Sequence, residues 1–294
     1  MSLAKRVERR ASYLLLRFLS LVCQMSSSRF LLRLSAALGD LVYVASARFR
    51  GVSLANLQRA FSATMSEPEI RRLCRNNFRL FAKNLLEFLS SPFLAEGELR
   101  RRVELRGAHF LRDALKEGNG AILLTGHFGN WEWMGARICA EGLPLTAIVR
   151  PHSDPATEAL IRGIRTHNGV RVIPRNDARA AMKSLRNNEI LAILADQHAG
   201  DSGIAIPFFG QPASTYPGIA ALAIRTGAQV IPGFCVRRPD DTHLVTLYPP
   251  VKLIVGADNQ ETVRANTALC TKIIEEQVRK HPDHWMWFHN RWKS

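Results

Sequence analysis

Ala121-Ile122-Leu123-Leu124-Thr125-Gly126-His127-Phe128-Gly129-Asn130-Trp131-Glu132-Trp133 is the stretch that decides how this chain folds. Ala121 to Leu124 form a short apolar run of the kind that makes a buried strand. Met134-Gly135-Ala136-Arg137-Ile138-Cys139 beyond it continues as a helix. His127 therefore belongs at a strand-to-helix turn, where a polar side chain stands at the top of a sheet. Glu132 follows five residues later. On one helix that spacing sets the two side chains about 140° apart, at roughly 100° per residue. On one strand they face opposite sides. They meet only if the chain bends between them, and Gly126 and Gly129 permit a bend. A carboxylate reaching the imidazole would hold its tautomer and stabilise the imidazolium. The other ring nitrogen would then serve as general base toward a hydroxyl. H-x-x-x-x-E alone also arises by chance, so the remaining segments have to discriminate.

From residue 103 onward, strand-like and helix-like patterns alternate. Strand-like runs are Val103–Arg106, Ala121–Thr125, Leu145–Val149, Val170–Ile173, Ile190–Ala195, Gln229–Val236 and Leu244–Tyr248. Helical patterns cover 109–116, 131–140, 155–167, 177–187 and 217–226. Apolar strands alternating with helices predict an α/β fold, a mostly parallel sheet flanked by helices. Such sheets bind ligands beyond the carboxyl ends of their strands. Four of the runs end in polar residues there: His127, Arg150, Arg175-Asn176 and Asp196-Gln197. A candidate base beside two arginines suits an anionic, hydroxyl-bearing substrate.

The 294 residues are 47% hydrophobic, enough for a sizeable core, and carry a net charge of +15. That excess implies an acidic partner, whether nucleic acid, anionic membrane or acidic protein. Residues 1–50 hold nine Lys or Arg against Glu8 and Asp40, a net of +7. Within them, Tyr13–Cys23 and Phe30–Val44 are apolar runs broken by Arg17, Arg33 and Asp40. A clean membrane span wants about 18 or more uncharged residues. The pattern predicts two amphipathic helices lying in an anionic bilayer surface, with a single tilted span as the alternative and a buried helical hairpin as a third possibility. Residues 53–95 read as helical, with Ser66 as N-cap, Pro68 in the first turn and an apolar stripe of Leu73, Phe78, Phe81, Leu85, Phe88 and Leu89. The five scattered cysteines match a reducing compartment, not a disulfide framework.

The run His127-Phe128-Gly129-Asn130-Trp131-Glu132 resembles the signature of the bacterial late acyltransferases of lipid A biosynthesis, a branch of the lysophospholipid acyltransferase superfamily. Other blocks are similar to that branch as well: Asn56–Phe61, Arg150-Pro151 with Asp154-Pro155, Arg165, Asp196-Gln197, Pro207–Gly210, Tyr216–Ala223 and Trp285–Lys293. Asn290 stands where the family commonly has arginine. The resemblance implies a membrane-associated O-acyltransferase, with acyl carrier protein as donor and an acylated, phosphorylated glucosamine disaccharide as acceptor. It implies His127 and Glu132 as the catalytic pair, without metal, cofactor or covalent enzyme intermediate. Arg150 and Arg165 become candidates for acceptor phosphates, since guanidinium matches phosphate oxygens. Asp196, Gln197 and Asn130 are expected to shape the substrate site.

The expected organisation is a membrane-associating helical segment, 1–50, and an acyltransferase α/β domain, 51–294, that includes the helical lead-in at 53–95. The expected location is the cytoplasmic face of a bacterial inner membrane, as a peripheral, monotopic or single-pass protein. Two alternatives stay open: an acyltransferase for a lysophospholipid or other glycolipid acceptor, and a non-catalytic basic membrane-binding protein of the same fold. Gly200-Asp201-Ser202-Gly203 imitates the nucleophile motif of trypsin-like proteases, but that fold is built from antiparallel barrels. No G-x-S-x-G elbow, P-loop or G-x-G-x-x-G occurs. His281, His284 and His289 lack zinc-like ligand spacing. Trp285, Trp287 and Trp292 fit either a core or an interfacial role. No nucleic-acid-binding module is recognisable, and the apolar N-terminal runs suit a bilayer better than nucleic acid.

Overall fold

The structure is a computed structural model that describes residues 3–293, the side chains of residues 3–8 excepted. Of the basic N-terminal cluster, Lys5 and Arg6 thus lie outside the described side chains. Four helices come first: α1 (Leu3–Met25), α2 (Ser28–Ala45), α3 (Ala47–Phe61) and α4 (Glu67–Ser90). A short α5 (Glu98–Arg102) leads into β1 (Val103–Arg106), α6 (Ala108–Lys116), β2 (Ala121–Thr125), α7 (Trp131–Cys139) and β3 (Leu145–Val149). Then come α8 (Pro155–His167), β4 (Arg171–Pro174), α9 (Ala178–Arg186) and β5 (Ile190–Leu194). A hairpin of β6 (Ile204–Phe208) and β7 (Gln211–Thr215) precedes α10 (Gly218–Thr226), β8 (Gln229–Arg237), β9 (His243–Leu247) and α11 (Asn259–Lys280).

The seven strand-like segments form one sheet in the order β1-β9-β8-β2-β5-β3-β4. β8, β2, β5, β3 and β4 run parallel, while β9 is antiparallel to β8 and carries β1 alongside it. The alternation of side chains in β2 explains why both faces must be covered. Ile122 and Leu124 enter one core with α3, α4, α9, α10, α11 and the C-terminal tryptophans. Ala121 and Leu123 enter the other with α6 and α7. Helices on both faces are what a parallel sheet requires.

The α4 start is set by a capping box, the Ser66 N–H donating to Glu69 Oε2 at 2.8 Å, with Pro68 in the first turn. Its buried face carries Phe78, Phe88 and Leu89, together with the polar Asn77, Asn84 and Glu87 that no hydrophobic periodicity marks. α1 and α2 each bury one side: Leu19, Cys23 and Leu31 pack with Leu86, Phe88 and Leu89 of α4 and Ile164 of α8. Asp40 on α2 is gripped by Arg75 and Arg79 of α4, at 2.7 and 2.6 Å. The N-terminal helices are therefore partly a packed hairpin. Yet Leu14, Phe18, Leu21 and Met25 of α1 stay exposed. Their spacing of four, three and four places them on one face. Among the described residues no single helix is long and apolar enough to cross a membrane.

Gly39 sets how closely α2 approaches α4. A Cβ built on it would lie 2.5 Å from the Arg79 Cα, against backbone that cannot swing away. Gly39→Ala should therefore push the helices apart and destabilise the protein by about 1–3 kcal/mol, the usual range for overpacking. Urea unfolding with an unchanged slope and a lower midpoint checks this; an unaltered midpoint would mean that the helices separate at no cost.

Candidate active site

Because β2, β5, β3 and β4 are parallel, their carboxyl ends lie on one edge. They deliver His127, Asp196, Arg150 and Arg175 there. The register of β2 on β5 pairs Thr125 with Leu194, so His127 and Asp196 each stand two residues past a paired position. Between them Gly126 leaves the needed space: a Cβ there would sit 3.1 Å from the Asp196 carboxylate. His127 Nδ1 lies 2.8 Å from Asp196 Oδ1, and the His127 backbone N–H donates to Oδ2 at 2.7 Å. Trp285 Nε1–H also donates to Oδ2, at 2.7 Å. Burial alone pushes the Asp196 carboxyl up, but the imidazole and these three hydrogen bonds outweigh it and hold the group below the usual carboxylate value. An ionised Asp196 accepts the proton of Nδ1–H, which leaves the lone pair on Nε2. The His127 side chain lines a cleft of about 610 Å³.

The predicted partnership of His127 with Glu132 is corrected by this arrangement: the carboxylate on the imidazole belongs to Asp196. Glu132 turns instead to Arg165 on α8, whose Nη2 and Nε donate to it at 2.6 and 3.1 Å. The physical reason is that Glu132 lies in the first turn of α7, already rotated away from the loop, while Asp196 extends in register beside His127. Trp131 Nε1–H also donates to Glu132, at 3.2 Å, and its ring stands edge-on to the imidazole with centroids 5.2 Å apart. Arg165, expected to meet an anion, is thereby occupied. Asn130, expected to touch substrate, is 1% exposed and serves as the N-cap of α7, accepting from the Trp133 N–H at 3.0 Å. Its amide nitrogen donates to Glu87 at 2.8 Å.

Arg150 keeps the place predicted for it. It is exposed, lines the cleft, and has no ion pair among the described residues. Asp154 caps α8 through Thr157, and Glu158 accepts from the His152 N–H, so neither carboxylate competes for it. Arg175 lines the same cleft and is exposed as well. Gln197 Nε2 comes within 3.4 Å of His127 Nε2.

Beside the cleft lies a second cavity, about 410 Å³ and walled mostly by apolar side chains of α2 and α4, among them Leu38, Val42, Phe78, Phe81 and Phe88. Trp131, Glu132 and Arg165 line both spaces, so the ion pair and the indole form the partition between them.

Behind the histidine loop is a buried polar cluster that the sequence did not disclose. Glu87 of α4 accepts from Arg237 Nη1 and Nη2 at 2.7 and 2.5 Å, from Asn130, and from His243 Nε2 at 3.3 Å. Burial opposes its charge, but Arg237 and His243 bring its pKa down to about 2. Burial pushes His243 below its usual value, against the opposing pull of the Glu87 carboxylate. Asn84 donates to the Gly129 carbonyl at 2.7 Å, and Gly129, at φ +55°, lies so near the Cys235 carbonyl that a Cβ would overlap it at 1.7 Å. The C-terminal segment completes the frame. His284 O accepts from the Gly129 N–H at 2.8 Å, and the Met286 N–H donates to His127 O at 3.0 Å. The block Trp285–Lys293 was the available signal for this role, although nothing in it named Asp196 as the contact. Trp285 and Trp287, at 1% and 0% exposure, are core residues.

Comparison with known proteins gives consistent results. The family model for bacterial lipid A biosynthesis acyltransferases matches residues 3–294. A lipid A biosynthesis lauroyltransferase of Escherichia coli (strain K12) is 27% identical over 264 residues, 89% of this chain and 85% of that protein. A lipid A biosynthesis palmitoleoyltransferase of the same organism is 25% identical, covering 84% of this chain and 79% of its own. A phosphatidylinositol mannoside acyltransferase of Mycolicibacterium smegmatis (strain ATCC 700084 / mc(2)155) is 24% identical over 75% of this chain and 72% of its own.

The buried cluster sets a pH signature. Glu87 is depressed from 4.5 to about 2 in the folded state. Its contribution to stability is then full above its unfolded pKa and is lost as pH falls through the folded one. The wild type should lose this increment between about pH 4.5 and 2. Glu87→Gln should be less stable at neutral pH and show a flatter decline across that acid window. Equal acid slopes for the two proteins, measured by chemical unfolding, would show that the fold does not depress the Glu87 pKa.

Proposed function

The chain belongs to the bacterial lipid A biosynthesis acyltransferase family and is an acyltransferase, and on that footing we propose that it moves a fatty acyl chain from acyl carrier protein to a hydroxyl of a lipid A precursor at the cytoplasmic face of a bacterial inner membrane. The observation that carries the reading is the His127–Asp196 pair, whose Nδ1–Oδ1 distance is 2.8 Å, set in the cleft at the strand ends. His127 Nε2 takes the proton of the acceptor hydroxyl as its oxygen attacks the thioester carbonyl. The imidazolium so formed is stabilised by Asp196, which keeps its negative charge. Collapse of the tetrahedral adduct re-forms the carbonyl and breaks the C–S bond, and the departing thiolate recovers the proton from Nε2. The cycle needs no acyl-enzyme and no cofactor.

The two spaces divide the substrates. The apolar cavity suits the acyl tail of the donor, and the polar cleft suits the acceptor. Arg150 and Arg175 stand ready for its phosphate, since an unpaired guanidinium presents a planar fork to phosphate oxygens. Arg165, committed to Glu132, is assigned to the partition instead. The exposed stripe of Leu14, Phe18, Leu21 and Met25 on α1, with Arg9, Arg10 and Arg17 on the same helix, supports attachment to an anionic lipid surface through residues 1–50. Residues 51–294, with the lead-in at 53–95, form the proposed catalytic part. The basic surface also suits an acidic carrier protein.

Assays with labelled acyl carrier protein and a panel of lipid acceptors test the proposal. The panel includes phosphatidylinositol mannoside, named for one of the relatives, and lysophospholipids. His127→Ala should lower turnover roughly 10²–10⁴-fold, the usual worth of a positioned base, and Asp196→Asn should be similarly impaired. A fully active His127→Ala protein would exclude the mechanism, and turnover confined to a different acceptor would redefine the substrate. Arg150→Lys keeps the charge and loses the fork, so it should impair phosphorylated acceptors more than dephosphorylated ones. Equal losses on both, with a lower melting temperature, would make Arg150 structural.

A further inference from the structure

We propose that Gln197 supplies the side-chain hydrogen bond to the oxyanion formed when the acceptor hydroxyl attacks the thioester. The inference rests on the acyl-transfer reading above and adds a residue to it.

The geometry begins with the amide nitrogen of Gln197, 3.4 Å from His127 Nε2. With Nδ1–H given to Asp196, Nε2 holds a lone pair, so the group facing it must be the donor. Among the described residues, Gln197 is the only side chain with an N–H within hydrogen-bond reach of that nitrogen. The contact is longer than the roughly 2.7–3.2 Å of a well-formed N–H bond. An incoming hydroxyl can therefore replace it at small cost. Displaced from Nε2, the amide remains beside the attacking oxygen, one bond away from the carbonyl carbon. Negative charge develops on the carbonyl oxygen at that place.

Several other donors nearby are already engaged. The His127 backbone N–H goes to Asp196, that of Phe128 to the Gly126 carbonyl, and that of Gly129 to the His284 carbonyl. The Trp131 indole, although it stands against the imidazole, points its N–H at Glu132. Gln197 itself combines a fixed backbone with a movable side chain. Its carbonyl accepts from Arg291 Nη1 at 3.5 Å, and the next N–H, of His198, donates to His289 Nε2 at 3.1 Å. Arg291 is fully buried and also holds Ser214 O and Thr215 Oγ1, at 2.5 and 2.6 Å. Residue 196 on the other side is held by His127 and Trp285. The fixed backbone keeps the amide close to the reacting atoms, so the side chain turns only locally to meet the oxyanion, and small reorganisation is the condition for strong transition-state stabilisation.

The proton and electron count is unchanged by this addition. The hydroxyl proton goes to Nε2, the carbonyl π pair moves onto oxygen, and Gln197 donates a hydrogen bond without transferring its proton. The pair then returns as the C–S bond breaks.

The test is steady-state kinetics of Gln197→Met and Gln197→Glu beside His127→Ala, with acyl carrier protein thioester as donor. Methionine fills the same space without an N–H. It should lower kcat about 10²–10³-fold, the usual cost of one oxyanion donor, while KM for the thioester stays within roughly threefold. Glutamate keeps the shape but sets a negative charge beside the ring. It should also lower kcat, and it should move the acidic limb of kcat/KM to higher pH, because a nearby anion favours the imidazolium. If His127→Ala is inactive while Gln197→Met keeps kcat, or loses KM instead, this proposal fails and the general-base reading survives. The role then passes to the backbone N–H groups that open α7. If His127→Ala is itself active, the parent reading is what fails.

Discussion

One carboxylate holds this site together. Asp196 is buried in a place where an isolated charge would be prohibitively unstable, and it is tolerated because three N–H donors converge on it. Those donors come from the ends of chain segments far apart in sequence: the loop after β2 and the tail after α11. Asp196 itself follows β5. The carboxylate thus sets the imidazole's orientation and tautomer while also fastening the C-terminal tail to the sheet. Removing the carboxylate would leave an imidazole without its orienting partner and an indole N–H without an acceptor.

A second buried charge supports the first from behind. Glu87 and Arg237 neutralise one another, and Asn84 and Asn130 pass the restraint on to the Gly129 carbonyl and the start of α7. A buried pair of this kind adds little net stability compared with apolar packing, but losing one partner is costly, about 3–5 kcal/mol. Its value here is positional. The loop bearing His127 is short, glycine-flanked and bent, and α4 fixes that bend from one side while the tail fixes it from the other.

The sheet was legible because its strands are short apolar runs between amphipathic helices, and that periodicity is local. The β6–β7 hairpin escaped notice, since Pro207, Pro212 and the left-handed Phe209 at φ +52° disguise it. α11 escaped too, because its buried face is largely Thr262, Asn266, Thr267 and Thr271, which no hydrophobic pattern picks out. At the site, His127, Arg150 and Asp196 were visible as polar residues just past strand ends. What was not visible was the pairing. Five residues of separation suggested Glu132, whereas the register of β2 on β5 delivers a carboxylate 69 positions away. Contacts of that range depend on which strands become neighbours, and a sheet order of 8-2-5-3-4 cannot be read from hydropathy. The same limit hid Glu87, Asn84 and Arg237, whose partners are 43 to 156 positions distant.

The partition of Trp131, Glu132 and Arg165 separates two spaces that are built from different parts of the molecule. The cleft is drawn from strand ends, where register is quantised and a small displacement breaks hydrogen bonds. The apolar cavity is drawn from α2 and α4, where side chains such as Leu38 and Val42 can change size without touching the strand register. The volume of the one and the register of the other can therefore be altered by separate substitutions. Substitutions on α2 and α4 can widen or shorten the apolar chamber while the imidazole and its carboxylate stay where they are.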